Sequence, residues 1–172
     1  MNHITYHSPF GPIRLSIESG RLERVCPGRF GPADASRSSA GRHADPDTGV
    51  IIRFLDGYFS GETAGARICW MNLSHCTPFQ KRVYEELLQT GFGCTVTYGD
   101  LARSAGSTHA ARAVGGVMAA NRFPVFIPCH RVIRSDGGIG GFTAGHGWKK
   151  ALIEHEAAFA GQTITSPRSG QQ

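Results

Sequence analysis

The sequence predicts an α/β half, a small sheet plus one helix, followed by a mostly α half that contains a helix-turn-helix. Three patterns carry that expectation. Residues 12–18 place Ile13, Leu15 and Ile17 at every second position, the period of a half-buried strand. Ile51, Phe54, Leu55 and Tyr58 recur at i, i+3, i+4 and i+7, one face of a helix. From Thr77 onward the chain reads as a capped helix and then two short helices separated by glycine.

In chain order, the opening stretch alternates polar and apolar residues. Turn chemistry at Ser8-Pro9-Phe10-Gly11 and at Ser19-Gly20 brackets the strand over 12–18. Residues 22–26 form a third, short strand. Residues 27–46 are small and polar with almost nothing to bury, which predicts a flexible loop. The helix through Tyr58 ends near Ser60-Gly61, and residues 66–70 are expected to add a last strand. The halves divide near residues 71–76, giving an N-terminal unit over 1–73 and a second over 74–160.

The second half opens on Thr77-Pro78-Phe79-Gln80, with a capping threonine, proline at the first helical position and glutamine three after the cap. Phe79, Val83 and Leu87 make its buried stripe, and Gly91 follows its end. Residues 95–98 are extended. Residues 99–105 form a short helix closed by Gly106, and Ser107 caps another over 108–120. That helix is built almost wholly of tiny side chains around one basic residue, Arg112. Its adjacent Gly115 and Gly116 each cost about 1 kcal/mol against alanine. Close helix packing and close approach to a nucleic-acid backbone both account for such a composition. A last helix over 148–159 places Leu152, Glu156 and Phe159 on one side, and residues 161–172 read as a disordered tail.

Composition narrows the class. The chain has 172 residues, 40% hydrophobic, with 18 basic against 13 acidic side chains and a net charge of +5. Such a chain fills a core and favours an anionic partner. No apolar run approaches the roughly 18 residues of a spanning helix, and the start has no signal-peptide core. The expectation is a soluble, cytoplasmic protein, nucleoid-associated in a prokaryote. Five cysteines at irregular spacing, without CxxC, argue against a disulfide framework. The spacing of His3, His7, Cys26 and His75 matches no metal-binding pattern, so no metal is expected.

The chemistry centres on residues 123–133, FPVFIPCHRVI. An apolar run ends at Pro128, and a cysteine, a histidine and an arginine follow at once. A thiol with a pKa near 8.5 is only about 3% thiolate at pH 7, so a reactive cysteine needs a neighbouring base or cation. His130 and Arg131 offer one of each. Consecutive strand residues point to opposite faces, so Cys129 and His130 cooperate only across a bend or a bridging water. The residues alone leave a reactive thiol and a buried cysteine beside a surface histidine equally open. Glu156 is either a solvated glutamate or the group that orients the histidine.

The letters PCHRV, with ARAVGG upstream and GGF-T-AG downstream, resemble the O6-alkylguanine-DNA alkyltransferase family, single-use repair proteins that take an alkyl group onto a cysteine. The resemblance is strong over residues 77–156 and looser in the first half, through SPFGPIRL and LDGYFSGE. It implies an N-terminal α/β domain and a winged-helix-like, DNA-binding second domain. By position, Cys129 resembles the alkyl acceptor, His130 the base acting through a water, and Glu156 the carboxylate behind it. Asn121 matches the asparagine bracing the active-site turn, Tyr98 the tyrosine that protonates the departing guanine, and Arg112 the finger that fills the gap left by the extruded base. Ala111, Gly115, Ser107 and Ser135 join Arg112 as DNA contacts. Tyr98, Met118, Val132, Phe142 and Thr143 line the base pocket. The family's base-binding loop usually carries a tyrosine, a serine and two glycines; Phe142-Thr143-Ala144-Gly145 departs from it.

The resemblance implies a monomer acting on double-stranded DNA through the minor groove with little sequence preference. It takes the alkyl group from O6-alkylguanine, with O4-alkylthymine a further substrate, and needs no cofactor. Three rivals remain: a lesion-binding protein that does not react, a cysteine hydrolase that turns over, and a structural zinc protein.

Overall fold

The computed structural model describes residues 1–31, 46–62, 65–142 and 144–161. Most of the expected loop over 27–46, the expected tail beyond Gly161, and Thr143 therefore lie outside the described residues.

Strands β1 (Asn2–Ser8), β2 (Gly11–Glu18) and β3 (Arg21–Pro27) form an antiparallel sheet in that order. Register follows from two tight turns. Ser8 pairs with Gly11 across the first, and the Ser8 hydroxyl donates to the Gly11 carbonyl at 2.7 Å. In the second, Ser19 and Gly20 both take positive φ, 48° and 73°, the twist that suits a two-residue hairpin. The alternation in β2 does what its period demands: Ile13, Leu15 and Ile17 all point into the core.

Helix α1 (Pro46–Phe59) starts five residues before the apolar stripe and lays Ile51, Phe54, Leu55 and Tyr58 inward. The strand expected over 66–70 is absent. Its place is taken by a single 3-10 turn, Ile68–Trp70, and one bridge between Leu22 and Met71. Trp70 spends its side chain on an edge contact with Phe54, 5.7 Å between ring centroids, so packing against α1 overrides pairing.

Helix α2 (Pro78–Leu88) carries the full capping box, with the Gln80 amide donating to the Thr77 hydroxyl and the Thr77 amide to the Gln80 side chain. Its buried face is Val83, Tyr84 and Leu87; Phe79 is only partly covered. β4 (Val96–Thr97) pairs in parallel with β5 (Val132–Ile133), and α3 (Tyr98–Ser104) follows β4 directly. Helix α4 (Ala111–Ala119) begins later than expected, and Ser107 does not cap it. Ala110 holds the cap position without a side-chain bond, while the Ser107 carbonyl accepts from the Ala110 amide at 3.2 Å. The extra turn follows Gly106, whose φ of 79° carries the chain out of α3 before it can re-enter a helix.

Helix α5 (His146–Ala160) buries Trp148, Lys149, Leu152 and Glu156. Phe159, expected on the same face, is 55% exposed. One continuous core joins the sheet, α1 and the second half; Phe54 and Phe126 meet across it at 4.8 Å. Among the described residues no helix is long and apolar enough to cross a membrane, and no three His, Cys, Asp or Glu side chains gather as a metal site.

Candidate active site

Cys129 opens a 3-10 turn, Cys129–Arg131, rather than continuing a strand. The bend removes the geometric obstacle of opposite-facing neighbours, and both Cys129 and His130 are buried. The preceding loop is held by one side chain. The Asn121 amide group donates to the Ile127 carbonyl at 3.1 Å and to Cys129 Sγ at 3.0 Å, while its oxygen accepts from the Phe123 amide at 2.9 Å. An asparagine is needed here because it offers donors and an acceptor from one short stem.

The Cys129 thiol faces conflicting influences. Burial pushes it up to about 11, opposed by the Asn121 donor, the positive Lys149 and two backbone amides. A thiol so placed rests protonated and needs a base. The neighbouring imidazole of His130 is a group that can accept a proton. Its Nε2 lies 2.6 Å from Glu156 Oε1, and its Nδ1 is buried with no hydrogen-bond partner. Burial lowers the imidazole's proton affinity, with Glu156 pulling the other way and Arg131 and Lys149 reinforcing burial. Glu156 is held well below the usual carboxylate range, because His130 and Arg131 together outweigh its own burial. The neutral ring therefore carries its proton on Nε2, toward the carboxylate, and leaves Nδ1 able to accept one.

Arg131 is not the thiol's cation. Its guanidinium donates to both Glu156 oxygens, Nε at 2.9 Å from Oε2 and Nη2 at 3.0 Å from Oε1, and to the Thr90 carbonyl. The Gly93 amide donates to Oε2 at 2.9 Å, and the Tyr58 hydroxyl to Oε1 at 2.8 Å. Gly93 must be glycine: φ is 75°, and a Cβ would sit 2.5 Å from the Ala160 Cβ. Glu156 is thus a fully engaged ion, not a solvated surface residue.

Above the thiol lies a cavity of about 430 Å³ lined by Tyr98, Gly115, Met118, Ala119, Cys129, Gly141 and Phe142. It brings together Tyr98, Met118 and Phe142 of the expected base pocket. Val132 is elsewhere, fully buried, its backbone paired with Val96 and its carbonyl accepting from Lys149 Nζ at 2.7 Å. Thr143, also expected there, is outside the described residues. Burial and the adjacent thiol raise Tyr98 above its ordinary value, so its hydroxyl keeps its proton at neutral pH.

A shallow groove runs beside the cavity, lined by Tyr98, Arg103, Ala111, Arg134 and Ser135 among others. Ser107 sits outside it, in the turn before α4. Arg112 is exposed, and a Cβ added at Gly115 or Gly116 would meet nothing within 4 Å. Those glycines therefore serve no helix packing among the described residues; they leave the outer face of α4 bare.

Sequence reasoning missed Tyr58, Gly93 and Lys149. Tyr58 reads as one more apolar stripe position, and no sequence pattern singles out Gly93 or Lys149. Lys149 is in fact wholly buried and pulled down to about 8 by that burial, its Nζ tying the Val132 carbonyl to that of Gly141, 3.3 Å away.

Residues 78–158 match the family model described as 6-O-methylguanine DNA methyltransferase, DNA binding domain. A mouse methylated-DNA–protein-cysteine methyltransferase is 49% identical, over 94% of this chain and 84% of its own length. A relative of the same name from Mycobacterium bovis is 34% identical over 96% and 98%. Among solved structures, the crystal structure of Mycobacterium tuberculosis OGT in complex with DNA superposes with a TM-score of 0.74 at 31% identity, covering 92% of this chain and 94% of that one.

Proposed function

The chain belongs to the methylated-DNA–protein-cysteine methyltransferase family, and from that premise we propose that it repairs O6-alkylguanine in DNA by moving the alkyl group irreversibly onto Cys129. The observation that carries the assignment is a buried thiol at the floor of a cavity, hydrogen-bonded by Asn121 and followed in the chain by a neutral His130 hydrogen-bonded to an ionised Glu156.

The geometry supports the following chemistry. His130 Nδ1 accepts the thiol proton through a water, and the imidazolium so formed is stabilised by Glu156. Sulfur attacks the alkyl carbon, the carbon–O6 bond breaks, and its electron pair leaves with the purine, which takes a proton from the Tyr98 hydroxyl. The product thioether has no good leaving group, so each protein acts once. No cofactor enters the scheme. The base must first leave the stack, at a cost of a few kcal/mol that is smaller for a damaged pair.

In this reading α3 and α4 are the helix-turn-helix of a winged-helix-like half, residues 74–160, and residues 1–73 are its scaffold. Bare α4 approaches the minor groove with Arg112 as the finger, while Ala111, Gly115, Ser107 and Ser135 meet the sugar-phosphate edges. Met118 and Phe142 flank the extruded base, with Val132 supporting the turn from below. The +5 charge supplies sequence-tolerant, salt-sensitive binding. The protein acts as a monomer in the cytoplasm.

The test is a duplex with one O6-methylguanine, followed by mass mapping of the peptides. One methyl group on Cys129 per protein, and none for Cys129→Ser with duplex binding retained, is expected. Label on Cys26, Cys69, Cys76 or Cys94, or many turnovers per protein, would overturn the assignment.

A further inference from the structure

The first half of the chain reaches the Glu156–His130 pair through Tyr58. Tyr58, near the end of α1, is 3% exposed, and its hydroxyl lies 2.8 Å from Glu156 Oε1 and 3.3 Å from His130 Nε2. We propose that Tyr58 is a positioning residue for alkyl transfer, its hydroxyl fixing the Glu156 carboxylate beneath His130 so that the ring keeps its proton on Nε2 and offers Nδ1 as base. The proposal rests on the assignment of Cys129, His130 and Glu156 made above.

The geometry restricts what the hydroxyl does. Oε1 accepts from Tyr58, from His130 and from Arg131, whereas Oε2 accepts from Arg131 and the Gly93 amide. Glu156 has no proton to give, so the Tyr58 hydroxyl donates. Each donor on Oε1 draws on the same lone pairs and weakens the pull of the carboxylate on the imidazolium. Removing the hydroxyl leaves Oε1 a stronger acceptor, favours the charged ring and depletes the neutral base at pH 7. It also frees the carboxylate to shift, which loosens the ring. The other charged groups acting on His130 are Arg131, which follows it in the turn and also acts on Tyr58, and Lys149 of α5.

Tyr58 is itself immobilised. Its ring contacts Phe54, Phe59, Phe92, His130 and His155, and its carbonyl lies 3.0 Å from His155 Nε2. A hydroxyl on so constrained a ring is a fixed reference point against which the second half sets its carboxylate. Desolvation and Glu156 raise it far above an ordinary phenol, so it stays a donor throughout the working pH range.

The experiment compares Tyr58→Phe, which keeps the ring, with His155→Phe, which disturbs the same packing without touching Glu156, and with Cys129→Ser. Single-turnover transfer is followed at saturating methylated duplex between about pH 5.5 and 9, and the His130 tautomer is read by nitrogen NMR. Tyr58→Phe is expected to slow transfer about tenfold at pH 7, to move the acidic midpoint of the pH–rate profile upward, and to leave duplex affinity unchanged. His155→Phe is expected to lower melting temperature without moving the midpoint. A Tyr58→Phe midpoint and tautomer identical to the parent, whether its rate is unchanged or falls only in step with His155→Phe, would overturn the proposal. Transfer persisting in Cys129→Ser would instead overturn the assignment beneath it.

Discussion

Val125 holds φ at 75° and is 2% exposed, two residues after Phe123 in the loop that presents Cys129. A β-branched residue in the left-handed region carries a steric cost of roughly 1–2 kcal/mol, which the surrounding core must offset. Two substitutions separate packing from backbone strain. Val125→Ala loses the buried methyl groups and keeps the strain; Val125→Gly loses both. At an ordinary position glycine is the worse of the two by roughly 0.5–1 kcal/mol. Here Val125→Gly is expected to be the more stable variant by about 1 kcal/mol in urea denaturation, reversing that order. Should alanine prove the better residue, the loop is not storing strain at this position. Nothing in FPVFIP announces this conformation, because valine predicts extended backbone with negative φ.

Helix α4 shows how composition and exposure combine. Val114, Val117 and Met118 anchor it, while Ala113 and Gly116 face outward beside Arg112 with almost no side-chain bulk of their own. A helix stripped on one face lets a backbone approach closely, and Arg112 is the one long side chain there. If it fills the gap left by a flipped base, its value appears only when there is a stack to leave. Arg112→Ala is therefore expected to slow transfer from duplex substrate by at least about tenfold, roughly 1.4 kcal/mol, and to leave reaction with free O6-alkylguanine within about twofold. Single-turnover rates on the two substrates check it; equal losses would remove Arg112 from that role. The glycine pair and Arg112 are plain in the sequence. That α4 starts at Ala111, which sets the direction of Arg112, follows from the turn after Gly106 and is not.

The Glu156–His130 pair ties the stability of the folded chain to pH. His130 takes a proton less readily when folded than its ordinary value of 6.5, so the unfolded chain binds more protons as pH falls through that range, and stability falls with it. Glu156 acts in the same direction. Its folded value is depressed, so its contribution is complete above about pH 5, where the unfolded carboxylate is ionised, and is lost as pH drops toward the folded value. Denaturant unfolding from pH 7 to 4 is expected to show a steady loss of stability. Glu156→Gln should cost about 3–5 kcal/mol at pH 7, because it strands Arg131 beside a neutral partner in a buried site, and should show a shallower acid limb. A parent curve that stays flat to pH 4.5 would contradict the linkage. The effect reaches the entire chain because Glu156 accepts from α1, from the loop at Gly93 and from the turn at Cys129.

What the sequence determined was local. The alternation in β2, the stripe in α1 and the capping box of α2 each depend on contacts a few residues apart, so each is legible letter by letter. The motif around Cys129, with Asn121, His130 and Glu156, identified the chemistry through resemblance, although the residues alone could not separate a reactive thiol from a buried one. Tertiary structure decided the rest. Residues 66–70 became a turn once Trp70 packed on Phe54. Lys149 meets its Val132 carbonyl across 17 residues, and Tyr58 meets the Glu156 carboxylate across 98. The physical reason is that a buried polar group's energy depends on who shares its low-dielectric surroundings. That company is assembled by packing, and no spacing along the chain encodes it.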